Sequence, residues 1–209
     1  MTTRSGPVTT DTTAIALGLA QVRIALSTSY VGQSRAILTS SNSIGALANT
    51  KFSGNAEFFR LESGFPLQED AIFPLRESAM LECSFKEITP KNLAIALGKD
   101  PSGYTDAHSG EVYLGTRVAP VYLRMEAVYT FPDGTNTMTI IFPRAQVAAS
   151  TEMDLQAEEP ANVPISIESK RADSAVSGGH VIWDGAPLGK IVWDDGTATT
   201  TTTTTTTTA

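Results

Sequence analysis

Few side chains in this chain of 209 residues could carry out chemistry. The two histidines, His108 and His180, stand far apart and have no second histidine or carboxylate cluster at metal-ligand spacing. The only cysteine, Cys83, excludes an intramolecular disulfide and a cysteine-based zinc site. We expect His108 to be a solvated loop residue and Cys83 to be a small buried apolar side chain.

The densest group of carboxylates lacks the pattern of a metal site. It consists of Glu152, Asp154, Glu158 and Glu159. A calcium loop needs a defined ligand spacing and a central glycine, which are absent here, so a solvated acidic edge is the favoured interpretation. The sequence contains no G-x-S-x-G elbow and no glycine-rich phosphate loop. We therefore predict no catalytic, cofactor-binding or metal-binding residue, although a hydrolase with carboxylates distant in sequence stays an open alternative.

The net charge of −7 is unevenly distributed. Residues 1–50 contain three arginines and one aspartate, a net charge of +2, so residues 51–209 carry −9. An acidic body repels phosphate backbones, which argues against a conventional nucleic-acid binder. It suits a surface that nucleic acid passes without adhering.

Neither a targeting segment nor a membrane span is predicted. The apolar run at 14–20 is too short for a signal-peptide core and is followed by Gln21 and Arg23. No run approaches the roughly 18 to 20 apolar residues that cross a bilayer. We expect a cytoplasmic protein, or a component of a particle assembled there.

The stretch from Ser78 to Pro101 changes its pattern halfway. Apolar residues at 81, 83 and 85 alternate with polar ones, which predicts a half-buried strand. Thr89 as N-cap, Pro90 in the first turn and Gly98 after the last turn then predict a helix of about two turns. The residues that share its expected packing face are Leu93, Ala96 and Leu97.

Alternating apolar residues predict several further strands and no second helix. The clearest signal is a hairpin of Val121–Phe131 and Thr135–Phe142, joined by a Pro-Asp-Gly turn. Pro66 and Pro74 punctuate residues 64–74, which we expect to be extended coil. The other predicted strands are Ala14–Ser27, Asn55–Glu62, Glu111–Arg117, Ala145–Ala157 and Asn162–Ser169.

Residues 28–53 form a long segment that is polar in bulk but contains spaced aliphatic residues. A loop of this length is uncommon unless it is functional or disordered. Neighbouring subunits could order it, and a loop packed on its own domain is the alternative. The candidate subunit-interface residues are Arg35, Ile37, Leu38, Ile44 and Leu47.

Both ends of the chain differ from the predicted β domain at 14–175. Residues 1–13 are polar and are expected to be a mobile or partner-docked arm. The sequence V-I-W-D at 181–184 is echoed by I-V-W-D at 191–194, which predicts a C-terminal hairpin over 176–196. Residues 197–209 form a threonine-rich tail that cannot build a core.

Two segments resemble bacteriophage tail tube proteins, the major tail proteins that stack as rings inside long tails. One is the helix motif E-I-T-P-K-N-L-A-I-A-L-G. The other pairs the R-A-Q-V strand with the V-P-I-S-I strand after the central hairpin. The likeness covers roughly Ala14 to Asp173.

This resemblance implies a mainly β fold, with two packed antiparallel sheets in a sandwich or barrel flanked by one short α-helix. It further implies rings of six, in which strands of neighbouring subunits join into a continuous inner barrel with no exposed edges. DNA would pass through the acidic lumen on ejection without specific binding. The resemblance implies no enzyme, no cofactor and no membrane, and a place in the virion tail after assembly in the host cytoplasm.

The implied partners are further copies of the chain, together with sheath, tape-measure, baseplate and terminator proteins. Two other ring-forming interpretations stay open, a type VI secretion-like tube and a tail terminator ring. A monomeric β-sandwich binding or decoration module is the alternative from another class. Such a module should expose aromatic residues on one face, and Trp183 and Trp193 are its only candidates.

Overall fold

A computed structural model describes residues 18, 20–65, 68–107, 109–115, 119–148, 151–153, 155 and 160–194. The strands are β1 (Gln21–Leu26), β2 (Leu47–Ser63), β3 (Gln68–Phe85), β4 (Leu123–Thr130), β5 (Thr137–Val147), β6 (Val163–Ser169) and β7 (Lys190–Asp194). The helices are α1 (Ser27–Tyr30) and α2 (Pro90–Ala96), with 3₁₀ turns at Ser40–Asn42, Pro101–Gly103 and Val181–Trp183. The predicted N-terminal arm, the threonine-rich tail, His108 and most of the acidic group lie outside the described residues.

All seven strands of the described part belong to one antiparallel sheet, in the order β1-β4-β5-β6-β3-β2, with β7 also paired to β5. The mainly β class is thus confirmed. The strands form one sheet where two packed sheets were expected, and the short helix α1 is present in addition to α2, although the sequence predicted no second helix. The reason for the single sheet lies in β5, which pairs with β4, with β7 through its first half and with β6 through its last residues. This one long strand therefore joins strands that would otherwise belong to separate sheets.

The sheet curls until its two ends meet. The segment that leads into β2 runs along the free edge of β1, where Ser43 forms a bridge with Arg23 and the Ile44 amide donates to the Val22 carbonyl at 3.1 Å. The same segment continues beside β3, because the Lys86 amide donates to the Ala46 carbonyl at 2.8 Å. The sheet therefore closes as a barrel, which leaves β1 without an open edge at this point.

The inner face of the sheet holds the main core. Alternate residues of the strands point inward, as their period of two requires. The strand residues in this core are Val22, Ile24, Leu81, Cys83, Phe85, Leu123, Met125, Ala127, Ile140, Phe142, Ala145, Val147, Val163, Ile165 and Ile167. Cys83 is buried among them, as its place in the strand pattern predicts.

The helix α2 begins and ends where its sequence predicts. The Thr89 side chain accepts a hydrogen bond from the Asn92 amide, and Pro90 occupies the first position. At the other end Gly98 has φ +72°, and its amide donates to the Ile95 carbonyl. The next amide, that of Lys99, donates to the Ala94 carbonyl, which completes a Schellman motif.

The buried face of α2 differs from the predicted one. Ile95 and Ala96 join the inner core, and Asn92 is buried and donates to the Ile44 carbonyl at 2.9 Å. Leu93 and Leu97 are only half-buried. The i, i+3, i+4 rule placed Ala96 correctly, but the buried face is centred on Asn92, Ile95 and Ala96 and not on the two leucines.

The C-terminal segment does not form the predicted hairpin. Val181–Trp183 is a 3₁₀ turn, whereas β7 adds to β5. Trp183 is buried on the outer face of the sheet against Ile141 and Ala172, and its indole N–H donates to the Val31 carbonyl at 2.6 Å. The repeated V-I-W-D therefore places one tryptophan in a core and the other, Trp193, in the open, 65% exposed.

The other predicted strands meet mixed outcomes. The central hairpin is confirmed as β4 and β5, and the strand predicted at 162–169 is confirmed as β6. Residues 111–115 form no strand, and of the strand predicted at 145–157 only the first three residues belong to β5. Most of the coil expected at 64–74 is the start of β3. Pro74 lies beside a bulge, in a part of β3 that pairs with β2 alone, and proline is tolerated at bulges and on edge strands.

Candidate assembly surface

The predicted interface residues do not share one surface. Leu38 and Ile44 are buried in their own subunit, so their side chains are not available to a neighbour. Leu47 is half-buried at the start of β2, which takes over the last seven residues of the predicted loop. Arg35 and Ile37 are exposed, Ile37 at 42%. A role of these exposed residues in an interface stays a prediction.

A buried ion pair on the outer face of β4 fixes the segment that follows α1. Arg124 Nε lies 2.8 Å from Glu126 Oε1, and both side chains are fully buried. The Arg124 guanidinium also donates to the carbonyls of Tyr30, Gln33 and Arg35 at 2.7–2.8 Å. The pair therefore supplies hydrogen-bond partners for a stretch of backbone without regular secondary structure.

The Glu126 carboxylate fixes the other half of this segment. It accepts hydrogen bonds from the amides of Ile37 and Leu38 at 2.9–3.1 Å. These contacts bury Leu38 and leave Arg35 and Ile37 on the surface. Within the described residues, the segment is thus ordered by its own subunit, the alternative that sequence reasoning had left open.

A second surface, which the sequence did not single out, is a long two-stranded extension of β2 and β3. β3 pairs with β6 only from Met80 to Phe85. Its pairing with β2 continues from Ser53–Met80 to Ser63–Gln68. We call residues 53–63 and 68–80 the ribbon, which is about 34 Å long at ~3.4 Å per residue. Both edges of the ribbon are free of other strands in the described part of the chain.

The ribbon carries a dense set of exposed apolar side chains. Between 43% and 68% of each side chain is exposed in Phe58, Phe59, Leu61, Ile72, Phe73 and Leu75. Phe65, at the connecting turn, is fully exposed. Apolar surface gathered in this way on an element with open edges marks an interaction site or an aggregation hazard.

Two pairs of polar side chains connect the strands of the ribbon. Arg60 forms an ion pair with Glu69 at 2.9 Å across the two strands. The Ser63 hydroxyl donates to the Asp70 carboxylate. Exposed pairs of this kind contribute at most about 1 kcal/mol, so they set the register without stabilising the ribbon strongly.

The sequence contains a signal for this surface. In F-F-R-L at 58–61 and A-I-F-P-L at 71–75, apolar residues fall in both phases of the alternation. That pattern is typical of strands covered on both faces. Sequence reasoning predicted part of the first strand but interpreted the second as coil because of its prolines.

The titratable groups of the described part indicate packing and turns. Burial raises the pKa of the Cys83 thiol to about 12, which leaves it protonated and unreactive at neutral pH. A hydrogen bond from the Ser174 amide lowers the pKa of Asp184. His180 Nδ1 accepts from the Ile182 amide at the start of a 3₁₀ turn. No cluster of three or more potential metal-binding side chains occurs in the described ranges.

No helix in the described ranges is long and apolar enough to span a membrane.

Comparison with known sequences finds no protein-family model and no curated protein that matches the chain. Among solved structures, the chain is similar to one of the tail of an empty gene transfer agent (GTA) particle, refined helically with C6 symmetry. The TM-score is 0.39 at 13% identity, over 72% of this chain and 90% of that chain.

Proposed function

We propose that the chain is a structural subunit of a phage-type tail tube. It assembles with its own copies into stacked rings of six, and the rings enclose a conduit for DNA during ejection. The subunit carries out no catalysis. Sheath, tape-measure, baseplate and terminator proteins contact the finished tube in the virion tail, which is assembled in the host cytoplasm.

The observation that carries this proposal is the ribbon. A two-stranded hairpin alone is marginal in water, and this one adds six half-exposed aliphatic and aromatic side chains. Such an element gains stability only when another surface covers it. A subunit that polymerises can cover the ribbon with a neighbouring copy. The sequence motifs that resemble tail tube proteins indicate that the polymer is a tail tube.

The charge distribution supports a conduit for DNA. Residues 51–209 carry a net charge of −9, and residues 1–50 carry +2. The bulk of the subunit therefore repels a polyanion. Repulsion of this kind keeps passing DNA from adhering to a channel wall. At low salt, where repulsion is strongest, we expect the assembled protein not to retain duplex DNA.

A monomeric binding module is less well supported. Its recognition face was expected to use Trp183 and Trp193, but Trp183 is buried in the outer core. One exposed tryptophan remains, and it makes no aromatic platform with the other. The exposed apolar surface of the chain is concentrated instead on the ribbon.

Light scattering and negative-stain electron microscopy of the purified full chain over a wide concentration range test the proposal. We expect rings of six at low concentration and tubes of stacked rings as the concentration rises. A single ring at every concentration would favour a terminator. A strictly monomeric chain at all concentrations would overturn the proposal.

A ribbon-deleted variant serves as the matched control. Residues 57–76 are replaced by Asn-Gly, so that the pair Ala56–Glu77 flanks a two-residue hairpin turn. All core residues remain, and we expect native circular dichroism and a monomer that forms neither rings nor tubes. Tubes formed by this variant would show that assembly uses another surface.

A further inference from the structure

Near its tip, the ribbon is apolar on both faces. The register pairs Phe58 with Pro74 and Phe59 with Phe73. Directly paired residues share a face, and successive residues alternate. Phe58 and Phe59 therefore point to opposite faces of the ribbon.

The next two pairs continue this arrangement. Arg60 and Ile72 follow on the face of Phe58, and Leu61 and Ala71 follow on the face of Phe59. We call these the first face (Phe58, Arg60, Ile72, Pro74) and the second face (Phe59, Leu61, Ala71, Phe73). About half of the side-chain surface is exposed on each, with Phe58 at 56% and Phe59 at 50%. No other element of the described residues pairs with this part of the ribbon or packs on either face.

The area of the ribbon shows that contact through one face would be small for a stable interface. Two strands about 5 Å apart, each about 34 Å long, present roughly 350 Å² on each face. A stable interface buries about 800 Å² per partner. Contact through one face alone buries less than half of that area and leaves the large apolar side chains of the other face in water, whereas contact through both faces buries roughly 700 Å² of each ribbon in the assembly.

We infer that the ribbon of each subunit inserts between two further copies of the chain, with one copy on each face. This inference rests on the proposed function and specifies its contacts. Each subunit then connects three chains through one element. Covering both faces also covers the free edges of the ribbon, which otherwise invite non-specific strand pairing.

Charge complementarity identifies copies of the same chain as the partners. The ribbon contains five acidic and two basic residues, a net charge of −3. Residues 20–50 contain two arginines and no acidic residue, and Arg35 lies exposed beside the exposed Ile37. The buried Arg124–Glu126 pair fixes these two residues in place. In a heterologous contact, one patch meets a different patch of an identical chain, and this apolar, basic patch complements the ribbon.

Two double variants test the faces separately. Phe58→Thr with Ile72→Thr removes two large apolar side chains from the first face, and Phe59→Thr with Phe73→Thr removes two from the second. Threonine keeps the strand propensity. We expect each variant to fold and to raise the critical concentration for tube formation about 100-fold or more, since each loses two buried large side chains.

The control is Asn55→Thr with Ser78→Thr, a paired polar position of the ribbon, which should assemble like the native chain. If one face variant forms tubes like the native chain, the ribbon docks by one face and the inference is overturned. It is also overturned if both do. A native chain that never assembles would instead remove the proposed function itself.

Photo-crosslinking counts the neighbours. 4-Benzoylphenylalanine is placed at position 58, at position 59 or at both, and the labelled chain is co-assembled with a large excess of native chain. We expect dimers from each single label, crosslinked to different peptides, and trimers from the double label. Dimers alone from the double label, with one shared target peptide, would contradict insertion between two copies.

Discussion

At the scale of single residues, Arg124 and Glu126 show how burial and hydrogen bonding combine. Both charges are removed from water, which is costly unless every polar atom finds a partner. Here the guanidinium meets a carboxylate and three carbonyls, and the carboxylate also accepts from two amides. The alternation of Val121–Phe131 predicted a strand. It could not show that the polar face with Arg124 and Glu126 would be covered by the segment after α1.

We expect Glu126→Ala to destabilise the subunit by about 3–5 kcal/mol, because it leaves Arg124 buried without its counter-charge. Urea unfolding followed by fluorescence measures the change. The matched control is Glu82→Ala, which breaks the exposed Lys51–Glu82 pair and should cost less than about 1 kcal/mol. Equal losses for the two variants would contradict the role given to the buried pair.

Cys83 gives the subunit a dependence on alkaline pH. Its pKa rises from an ordinary value of 9.0 to about 12 in the folded chain, so the folded state binds the thiol proton more tightly than the unfolded state. Stability from this group is full below pH 9 and is lost as the pH rises towards 12, at up to about 1.4 kcal/mol per pH unit.

The check is urea unfolding at pH 8 and at pH 10 for the native chain and for Cys83→Ala. We expect the native chain to lose more of its free energy of unfolding between the two pH values than the variant, because the variant lacks the thiol. Parallel losses would mean that the thiol does not favour its protonated form on folding.

At the scale of elements, signals that lie close together in sequence were the most informative. The caps of α2 and the turn between β4 and β5 involve neighbouring residues, and the sequence predicted both. The predicted C-terminal hairpin was wrong because contacts with residues far away in the sequence determine this segment. Trp183 and Trp193 have similar local sequences, but a distant hydrogen bond from the indole of Trp183 to Val31 decides the conformation of its segment.

The rotated face of α2 leads to a test at this scale. Ile95→Ala should cost about 2–5 kcal/mol of unfolding free energy, since Ile95 belongs to the inner core. Leu97→Ala should cost clearly less, because Leu97 is only half-buried. Chemical denaturation of the two variants side by side measures the difference. A greater loss for Leu97→Ala would restore the face predicted from spacing.

At the scale of the whole molecule, contacts between distant parts of the chain set the architecture. Such contacts could not be predicted from the sequence. Ser43 and Ile44 close the barrel against β1, although they lie in a segment without a clear period. Two packed sheets were expected from the family resemblance, because strand patterns alone show which residues share a face and not how a sheet closes. The ribbon was missed as a surface because its apolar residues have no covering element among the described residues, so no periodic partner in the sequence indicated it.

The long segment and the ribbon should respond differently to deletion. Removing residues 36–49 takes Leu38 and Ile44 from the interior and leaves Glu126 without its amide partners, so we expect an unfolded chain. The ribbon-deleted variant should instead melt at a temperature close to that of the native chain. Far-ultraviolet circular dichroism and thermal melting distinguish the two, and a folded 36–49 deletant would show that this segment is dispensable for the barrel.

The proposed assembly through the ribbon would also tie the lifetime of a subunit to polymerisation. It projects from the body by one end, and it carries Arg60 and Arg76 on exposed backbone. Proteases cleave such elements first, because few contacts resist local opening. In the proposed assembly, a free subunit would therefore be open to cleavage at the element through which it polymerises, whereas an incorporated one would be shielded. Degradation would then remove surplus subunits and spare finished tubes.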